Sequence, residues 1–290
     1  MKAAKGAHCP KIGTSGFKGR APKMAVRDWI RLALRAWRIR RKGDPELRWL
    51  PQLVGRGRRC IDIGANPGVF TYWLAKAGGC VEAFEPNPGL ADNLIAAGLA
   101  NVTVHRVALG NSIETASLFV PFHSRSALPA QGGASKNIKF DDPAGRICEP
   151  PSDLKTEQGI RFETPASRLD SFSFADVDFI KIDVEGHEEK VLDGGWETIV
   201  ANRPRILIEL EERHRPGCVA RVASRFKAID YRVGFLDHGL WYDLEVLGTG
   251  ESGQQAGPSG RYINNFLLIP SDQTIDSTAG DQRACFRLLG

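Results

Sequence analysis

Arg59-Cys60-Ile61-Asp62-Ile63-Gly64-Ala65-Asn66-Pro67-Gly68 is a short apolar strand that breaks into a glycine turn. Val69–Ala77 then has the composition of a helix, and Cys80-Val81-Glu82-Ala83-Phe84-Glu85 is a second strand closing on a carboxylate. Strand, glycine turn, helix and acid-tipped strand make the first half of a doubly wound α/β fold. Glu85 lies about 20 residues beyond the turn, where such folds grip a ribose by its hydroxyls.

Asp62, two positions before the first glycine, narrows the ligand. A dinucleotide site uses G-x-G-x-x-G, so that a pyrophosphate rests on bare backbone at a helix N-terminus. Here the pattern is D-x-G-x-x-x-G: the first glycine of that fingerprint is missing, and a carboxylate at Asp62 repels phosphate. It suits a ligand with an ammonium group and no phosphate. S-adenosylmethionine has that chemistry, with an amino-acid end, a sulfonium and an adenosine ribose. Glu85, acceptor-only when ionised, can take hydrogen bonds from both ribose hydroxyls. The expected cofactor residues are Asp62, Gly64, Asn66, Gly68 and Glu85.

A second block is Val177-Asp178-Phe179-Ile180-Lys181-Ile182-Asp183-Val184-Glu185-Gly186-His187-Glu188. It resembles the signature of the FkbM family of S-adenosylmethionine-dependent methyltransferases. So do Phe84-Glu85-Pro86-Asn87-Pro88, Ala108-Leu109-Gly110, the stretch from Thr164 to Phe172, and Asn264-Asn265-Phe266-Leu267-Leu268-Ile269-Pro270. The matches run in order from about Gly43 to Pro270, most of the chain, and the D-V-E-G-H-E run is the most specific of them. The resemblance implies a class I methyltransferase fold, Rossmann-like, and commonly O-methylation of hydroxyls on sugars or other small molecules. It does not name the acceptor. Ala108 and Leu109, just past the third strand, are expected along the adenine.

Strands and helices alternate as a parallel sheet requires. Seven sheet strands are expected at Arg59–Ile63, Val81–Phe84, Val102–Val107, Phe179–Val184, Ile206–Leu210, Arg232–Leu236 and Phe266–Ile269. Helices are expected at Val69–Ala77, Pro88–Ala97, Glu188–Ala201 and Cys218–Ala228. Thr115–Phe122 and Arg161–Pro165 read as an inserted strand pair around a Gly-, Pro- and Ser-rich loop, His123–Gly159. Leu247–Gly260 is a second such loop. Long loops are uncommon in compact domains unless they shape a binding site, so both are candidate acceptor lids.

Methyl transfer to a hydroxyl needs an acceptor oxygen in line with the methyl and a group that takes the hydroxyl proton, or a metal that acidifies it. In open α/β sheets such groups gather beyond the carboxyl ends of the strands. Asp183 stands at such an end, with Glu185 and His187 at alternate positions after it. Two readings stay open. In one, Asp183 or His187 is the base, His187 being suited by its near-neutral reference pKa. In the other, Asp183 and Glu185 hold a divalent cation through oxygen, with Glu209 or Glu211 completing the shell. Glu185, Glu209 and Asn265 are further candidates for holding the acceptor; no zinc pattern of His and Cys is present.

The charge is uneven. Residues 1–42 carry thirteen Lys/Arg and one acid, Asp28, leaving −7 for the rest of a chain whose net charge is +5. Met1 to about Pro22 is Gly-, Lys-, Ala- and Ser-rich and expected to be disordered. Val26–Arg41 reads as an amphipathic helix with Val26, Trp29, Ile30, Ala33 and Trp37 on one face and Arg27, Arg31, Arg35 and Arg38 opposite. Such a helix suits a membrane interface. The leading helix that FkbM-like domains carry favours instead packing on the catalytic domain. The domains expected are a basic extension over 1–42, a methyltransferase domain over 43–275 and a tail over 276–290.

The six cysteines are scattered with no C-x-x-C pair, no secretory apolar region follows Met1, and no apolar run is long enough to span a bilayer. A cytoplasmic enzyme is expected, with the inner membrane face as the surface the basic helix would meet. Two other function classes compete. A nicotinamide-dependent oxidoreductase shares the fold, but the missing glycine and Asp62 oppose it. A non-catalytic membrane- or nucleic-acid-associated protein would use the basic N-terminus. The absence of aromatic stacking motifs and the net-negative body argue against nucleic acid.

Overall fold

The computed structural model describes residues 26–42, 45–55, 57–121, 146–147, 159–249 and 255–273. In chain order the elements are α1 (Val26–Lys42), a 3-10 turn (Pro45–Arg48), α2 (Leu50–Leu53), β1 (Arg59–Ile63), α3 (Val69–Lys76), β2 (Cys80–Phe84), α4 (Pro88–Ala96), β3 (Val102–His105), β4 (Ala108–Leu109) and β5 (Glu114–Pro121). There follow β6 (Arg146–Ile147), β7 (Gly159–Ser167), a 3-10 turn (Leu169–Phe172), β8 (Val177–Ile182), α5 (Glu188–Gly194), α6 (Trp196–Asn202) and β9 (Arg205–Glu209). The chain continues through α7 (Cys218–Lys227), β10 (Tyr231–Asp237), β11 (Leu240–Asp243), β12 (Gly248–Thr249), β13 (Gln255–Ala256) and β14 (Asn265–Pro270).

The main sheet runs in the order β11-β10-β14-β9-β8-β1-β2-β3. From β3 to β9 its pairs are parallel, and β14 lies antiparallel between β9 and β10. The expected doubly wound α/β fold is present, with eight strands rather than seven. The extra strand is β11, which returns on β10 through His238-Gly239, both with positive φ. Positive φ at both central residues is what a two-residue hairpin turn requires.

Successive side chains alternate across the sheet. One face packs Ile61, Ile63, Ile180, Ile182, Ile206 and Ile208 into the first core. The other packs Cys60, Val81, Ala83, Phe179, Leu207 and Leu267 into the second, beneath α1 and α3. By the same period of two, Asp62, Glu85, Lys181, Asp183, Glu209 and Asn265 belong to this second face, at or just beyond the ends of their strands.

The inserted strand pair is part of a larger unit. β5 and β7 pair antiparallel over Glu114–Pro121, and β4 and β6 extend them into a four-stranded sheet, β4-β7-β5-β6. Most of the loop His123–Gly159 lies outside the described residues. The second loop contains the short pair β12–β13.

The expected single helix Glu188–Ala201 is two helices broken at Gly194-Gly195. A Cβ on Gly194 would sit 1.8 Å from the Gly110 carbonyl oxygen, and one on Gly195 would sit 2.9 Å from Leu169 Cδ2. The break lets the helix backbone approach the turn after β4.

Helix α1 packs on the domain by part of the expected face, with Ala33 buried and Trp29 packed against the second core, and by the neighbouring Leu32 and Ala36. Leu32, Ala33 and Ala36 are buried in the second core, where Ala36 O accepts a hydrogen bond from Trp73 Nε1 at 3.1 Å. Ile30 and Trp37, assigned to the apolar face, are 44% and 45% exposed, and Leu34 is 67% exposed. The contact selects small residues that let two helices approach closely. Among the described residues no helix is long and apolar enough to cross a membrane. The tail 276–290 and residues 1–25 lie outside the described residues.

Candidate functional site

The glycine turn after β1 is shaped by close approach. Gly64 has φ +78°, and a Cβ there would lie 1.9 Å from the Asp183 carbonyl oxygen, so the turn fits against β8 only as glycine. Asp183 N in turn donates to Ile63 O at 3.0 Å. Gly68, φ +86°, caps α3, and a Cβ there would lie 2.5 Å from Leu94 Cδ1 and 3.4 Å from Leu32 Cδ1 of the neighbouring helices. Asn66 has φ +50°, and its buried Oδ1 has no hydrogen-bond partner among the described residues. A buried acceptor left unpaired is costly unless a ligand supplies the donor.

Glu85 is buried and held by its backbone neighbours. Asn66 N donates to Oε2 at 2.7 Å and Asn87 N donates to Oε1 at 2.8 Å. Each carboxylate oxygen keeps further acceptor capacity, which a pair of ribose hydroxyls would fill. Burial raises Glu85 to about 7, against the two backbone hydrogen bonds that lower it. Asp62 is buried beside it and accepts from Thr71 Oγ1 at 2.5 Å. Burial raises Asp62 to about 6, opposed by Thr71 and by Lys181. Two desolvated carboxyls thus face one turn, each lifted toward neutrality. Asn87 holds the next helix by accepting from Gly89 N at 3.0 Å.

The second half of the site lies where β8 and β9 end. Lys181 is 1% exposed, and its Nζ is 3.4 Å from Asp183 Oδ2 and 4.9 Å from the centre of the Phe70 ring. In register it is opposite Asp62, so one ammonium serves a carboxyl from each half of the site. Glu209 accepts from Asn264 Nδ2 at 2.6 Å, and Asn264 Oδ1 accepts from Asn265 Nδ2 at 3.3 Å. Burial pushes the Glu209 carboxyl well above the usual range, with Asp183 adding to it. Asn265 is the register partner of Glu209 and is buried, its Oδ1 without a hydrogen-bond partner among the described residues. Asp183, Glu209 and Asn265 are therefore neighbours at one edge of the sheet.

The other candidates divide. Glu185 follows Asp183 in a positive-φ turn with Gly186, whose N–H is held by Glu188 Oε1 at 2.9 Å. Ala108 and Leu109 are buried in β4. His187 sits at the N-terminus of α5, its Nε2 3.2 Å from where a Cβ on Gly110 would be. It thus packs on the turn that follows Ala108 and Leu109. Burial, Lys190 and Arg215 lower it to about 4, so it is neutral near pH 7.

Several residues of the site were not singled out for it from sequence. Thr71 was hidden in an ordinary helix run, and Lys181 in an apolar strand. Tyr262 arrives through the long connection before β14, and burial and Glu211 push its hydroxyl up to about 12. Glu211, considered as a metal ligand, is buried and ion-paired with Arg213 and with His214 at 3.5 Å. Among the described residues no group of three or more His, Cys, Asp or Glu side chains is arranged to hold a metal ion.

Residues 62–234 match the family model described as the methyltransferase FkbM domain. No curated protein matches the sequence at a significant level. Among solved structures, a methyltransferase FkbM from Methylobacillus flagellatus aligns with 84% of this chain and 58% of its own, at 14% identity and a TM-score of 0.44. The chain therefore spans little more than half the length of that protein. An O-methyltransferase from Bacillus cereus, solved in complex with SAH, aligns over 83% of this chain and 89% of its own, at 14% identity and a TM-score of 0.41. The precorrin-6y C5,15-methyltransferase from Geobacter metallireducens aligns over 76% and 82%, at 12% identity and a TM-score of 0.36.

Proposed function

The chain belongs to the FkbM methyltransferase family, and from that premise we propose that it uses S-adenosylmethionine to methylate a hydroxyl on a sugar or other small molecule. Its doubly wound sheet is the class I methyltransferase fold that the family implies. When bound, S-adenosylmethionine supplies a methyl on a positively charged sulfur, and the electrons of the breaking bond stay with sulfur.

The residues support each part of this reading. Asp62 offers the counter-charge for an ammonium, and Glu85, fixed by two backbone donors, offers acceptors for ribose hydroxyls. Ala108 and Leu109 offer an apolar edge for the base. Asp183, partly open to solvent and braced by Lys181, takes the acceptor's proton in this reading. Burial and the nearby Asp183 charge raise the Glu209 carboxyl, so in its protonated form it can donate a hydrogen bond to a neighbouring hydroxyl of the acceptor. Asn264 fixes the Glu209 carboxyl, and Asn265 adds an acceptor, unpaired among the described residues, for a second hydroxyl. A polyhydroxylated acceptor matches this alternation of donor and acceptor. Glu185 stands at the rim as a further acceptor contact. The methyltransferase domain is taken to run over 43–275, with 1–42 as a basic extension.

The observation that carries the reading is the juxtaposition of Asp183 and Glu209 across β8 and β9, on the sheet face shared by Asp62 and Glu85. The test is incubation with methyl-labelled S-adenosylmethionine and a panel of sugars, glycolipids and phenols, with and without chelator. Label in a base-stable ether, undiminished by chelator, supports it. Label confined to amines would assign the site to N-methylation. Loss of transfer with chelator and return with Mg²⁺ would make Asp183 and Glu185 metal ligands.

A further inference from the structure

Helix α1 has three faces, and the domain covers one of them. Leu32, Ala33 and Ala36 are buried against the second core. Beside them on the helix surface run Ile30, Leu34 and Trp37, spaced i, i+4, i+7, and exposed at 44%, 67% and 45%. This spacing makes one continuous stripe, since residues three and four apart are neighbours on a helix. Trp37 is anchored at its base by an edge contact to Trp73, ring centres 4.9 Å apart, so its outer edge is held toward solvent. Arg27, Arg31, Arg38 and Arg41 are exposed around the stripe. The one acid of the helix, Asp28, is 3.5 Å from Arg31. The preceding residues 1–25 add six Lys/Arg and no acid.

We propose that this stripe and its arginine border dock the protein on an anionic lipid surface, the leucine, isoleucine and tryptophan entering the interface and the arginines meeting headgroup phosphates. The charge complementarity decides the occupant. A partner protein suited to the stripe would need an apolar groove ringed with acids, whereas an anionic bilayer offers both chemistries at once. Nucleic acid would match the arginines but leave Ile30 and Leu34 against water. Each basic residue near such a surface raises partitioning roughly fivefold, so the exposed arginines of α1 add to the apolar stripe.

The helix also sets an orientation. Leu32 Cδ1 lies 3.4 Å from where a Cβ on Gly68 would be, at the glycine turn, while Ala36, one turn on, meets Trp73 farther along α3. The amino-terminal end of α1 is thus level with the carboxyl edge of the sheet, where the site lies. Docking through Ile30 and Leu34 would hold that edge near the bilayer. The docking itself does not depend on methyl transfer.

The test uses the full chain and sedimentation with vesicles of phosphatidylcholine alone or with phosphatidylglycerol. Binding should require the anionic lipid. Leu34→Glu and, separately, Ile30→Ser should each weaken it about tenfold or more, with thermal midpoint and S-adenosylhomocysteine affinity unchanged. Val200→Glu, at an exposed apolar site on another helix, should leave binding intact. Equal binding by wild type and both stripe variants would overturn the proposal, as would failure of wild type to bind anionic vesicles. Dimerisation or RNA binding that the stripe variants abolish, without vesicle binding, would assign the surface to that occupant instead.

Discussion

Lys181, near the end of the buried strand β8, and Asp183, just beyond that end, meet through an ammonium and a carboxylate 3.4 Å apart. The pairing extends to Asp62, the register partner of Lys181 on β1. A lysine this deeply buried stays charged only if carboxylates compensate it, and these carboxylates share the site with Glu209. Lys181→Met keeps the volume and removes the charge, leaving Asp62 and Asp183 without their counter-ion. It is expected to destabilise the protein by about 3 kcal/mol, the low end for breaking a buried pair. Asp183→Asn in the same chain should recover part of that loss. Urea unfolding of the two single variants and the double variant measures the coupling; strict additivity would show that the pair does not interact.

Glu85 makes a separable prediction about the cofactor. Its carboxylate is oriented by Asn66 N and Asn87 N, so it is positioned before any ligand arrives. Glu85→Ala removes the acceptors for the ribose and leaves those two donors unpaired. S-adenosylhomocysteine affinity is expected to fall by about 1–3 kcal/mol, the range for hydrogen bonds to a charged group. Calorimetry with S-adenosylhomocysteine and with NAD checks it. Tight NAD binding by the wild type would overturn the assignment of the turn.

The stability of the ligand-free protein should depend on pH in a direction opposite to that of most carboxylates. Burial raises Asp62 to about 6 and Glu85 to about 7. A carboxyl that holds its proton more tightly when folded favours the folded state fully below its unfolded pKa, near 4. That advantage is lost as pH rises through the folded value. Ligand-free protein should thus lose stability between about pH 4 and 7, on the order of 3 kcal/mol per group at 1.36 kcal/mol per unit. A bound ammonium and diol favour the ionised forms, so saturating cofactor should stabilise more at pH 8 than at pH 5. Thermal unfolding at four pH values with and without S-adenosylhomocysteine decides it; an increment that does not grow with pH would refute the coupling.

Much of the site was readable because its determinants are local. Strand alternation alone puts Asp62, Glu85, Asp183, Glu209 and Asn265 on one face once the strands are placed, and Gly64 and Gly68 mark the turn beneath them. The unread parts depend on distant backbone. His187 follows Asp183 closely enough to look like its partner. The break at Gly194-Gly195 brings α5 against Gly110, and His187 packs there. The outer face of α1 was misread because side-chain size points to Ile30 and Trp37 as core. The contact with Trp73 instead selects Ala36, whose small side chain lets the helices close. Strand β11 depends on a His238-Gly239 turn whose first residue is not among the usual hairpin formers.

Catalysis is where the two candidate bases separate. Asp183 is partly solvent-open, braced by Lys181 and beside Glu209, whereas His187 is neutral near pH 7 and lies on Gly110. Position separates them: Asp183 stands beside Lys181 and Glu209 on the sheet face shared by Asp62 and Glu85, while His187 packs on the turn after β4. Asp183→Asn is expected to lower kcat by 10²–10⁴-fold, about the range for removing a positioned base, while S-adenosylhomocysteine binding stays within about threefold of wild type. His187→Gln preserves size and hydrogen bonding, and should lower kcat less than about tenfold. If His187 lines the cofactor's base through Gly110, its effect should appear mainly in the cofactor KM. Single-turnover assays across pH, with cofactor affinity measured separately, distinguish the two. Full activity in Asp183→Asn would remove both the base and the metal-ligand roles from this residue. A loss in His187→Gln as large as in Asp183→Asn would move the base to the histidine.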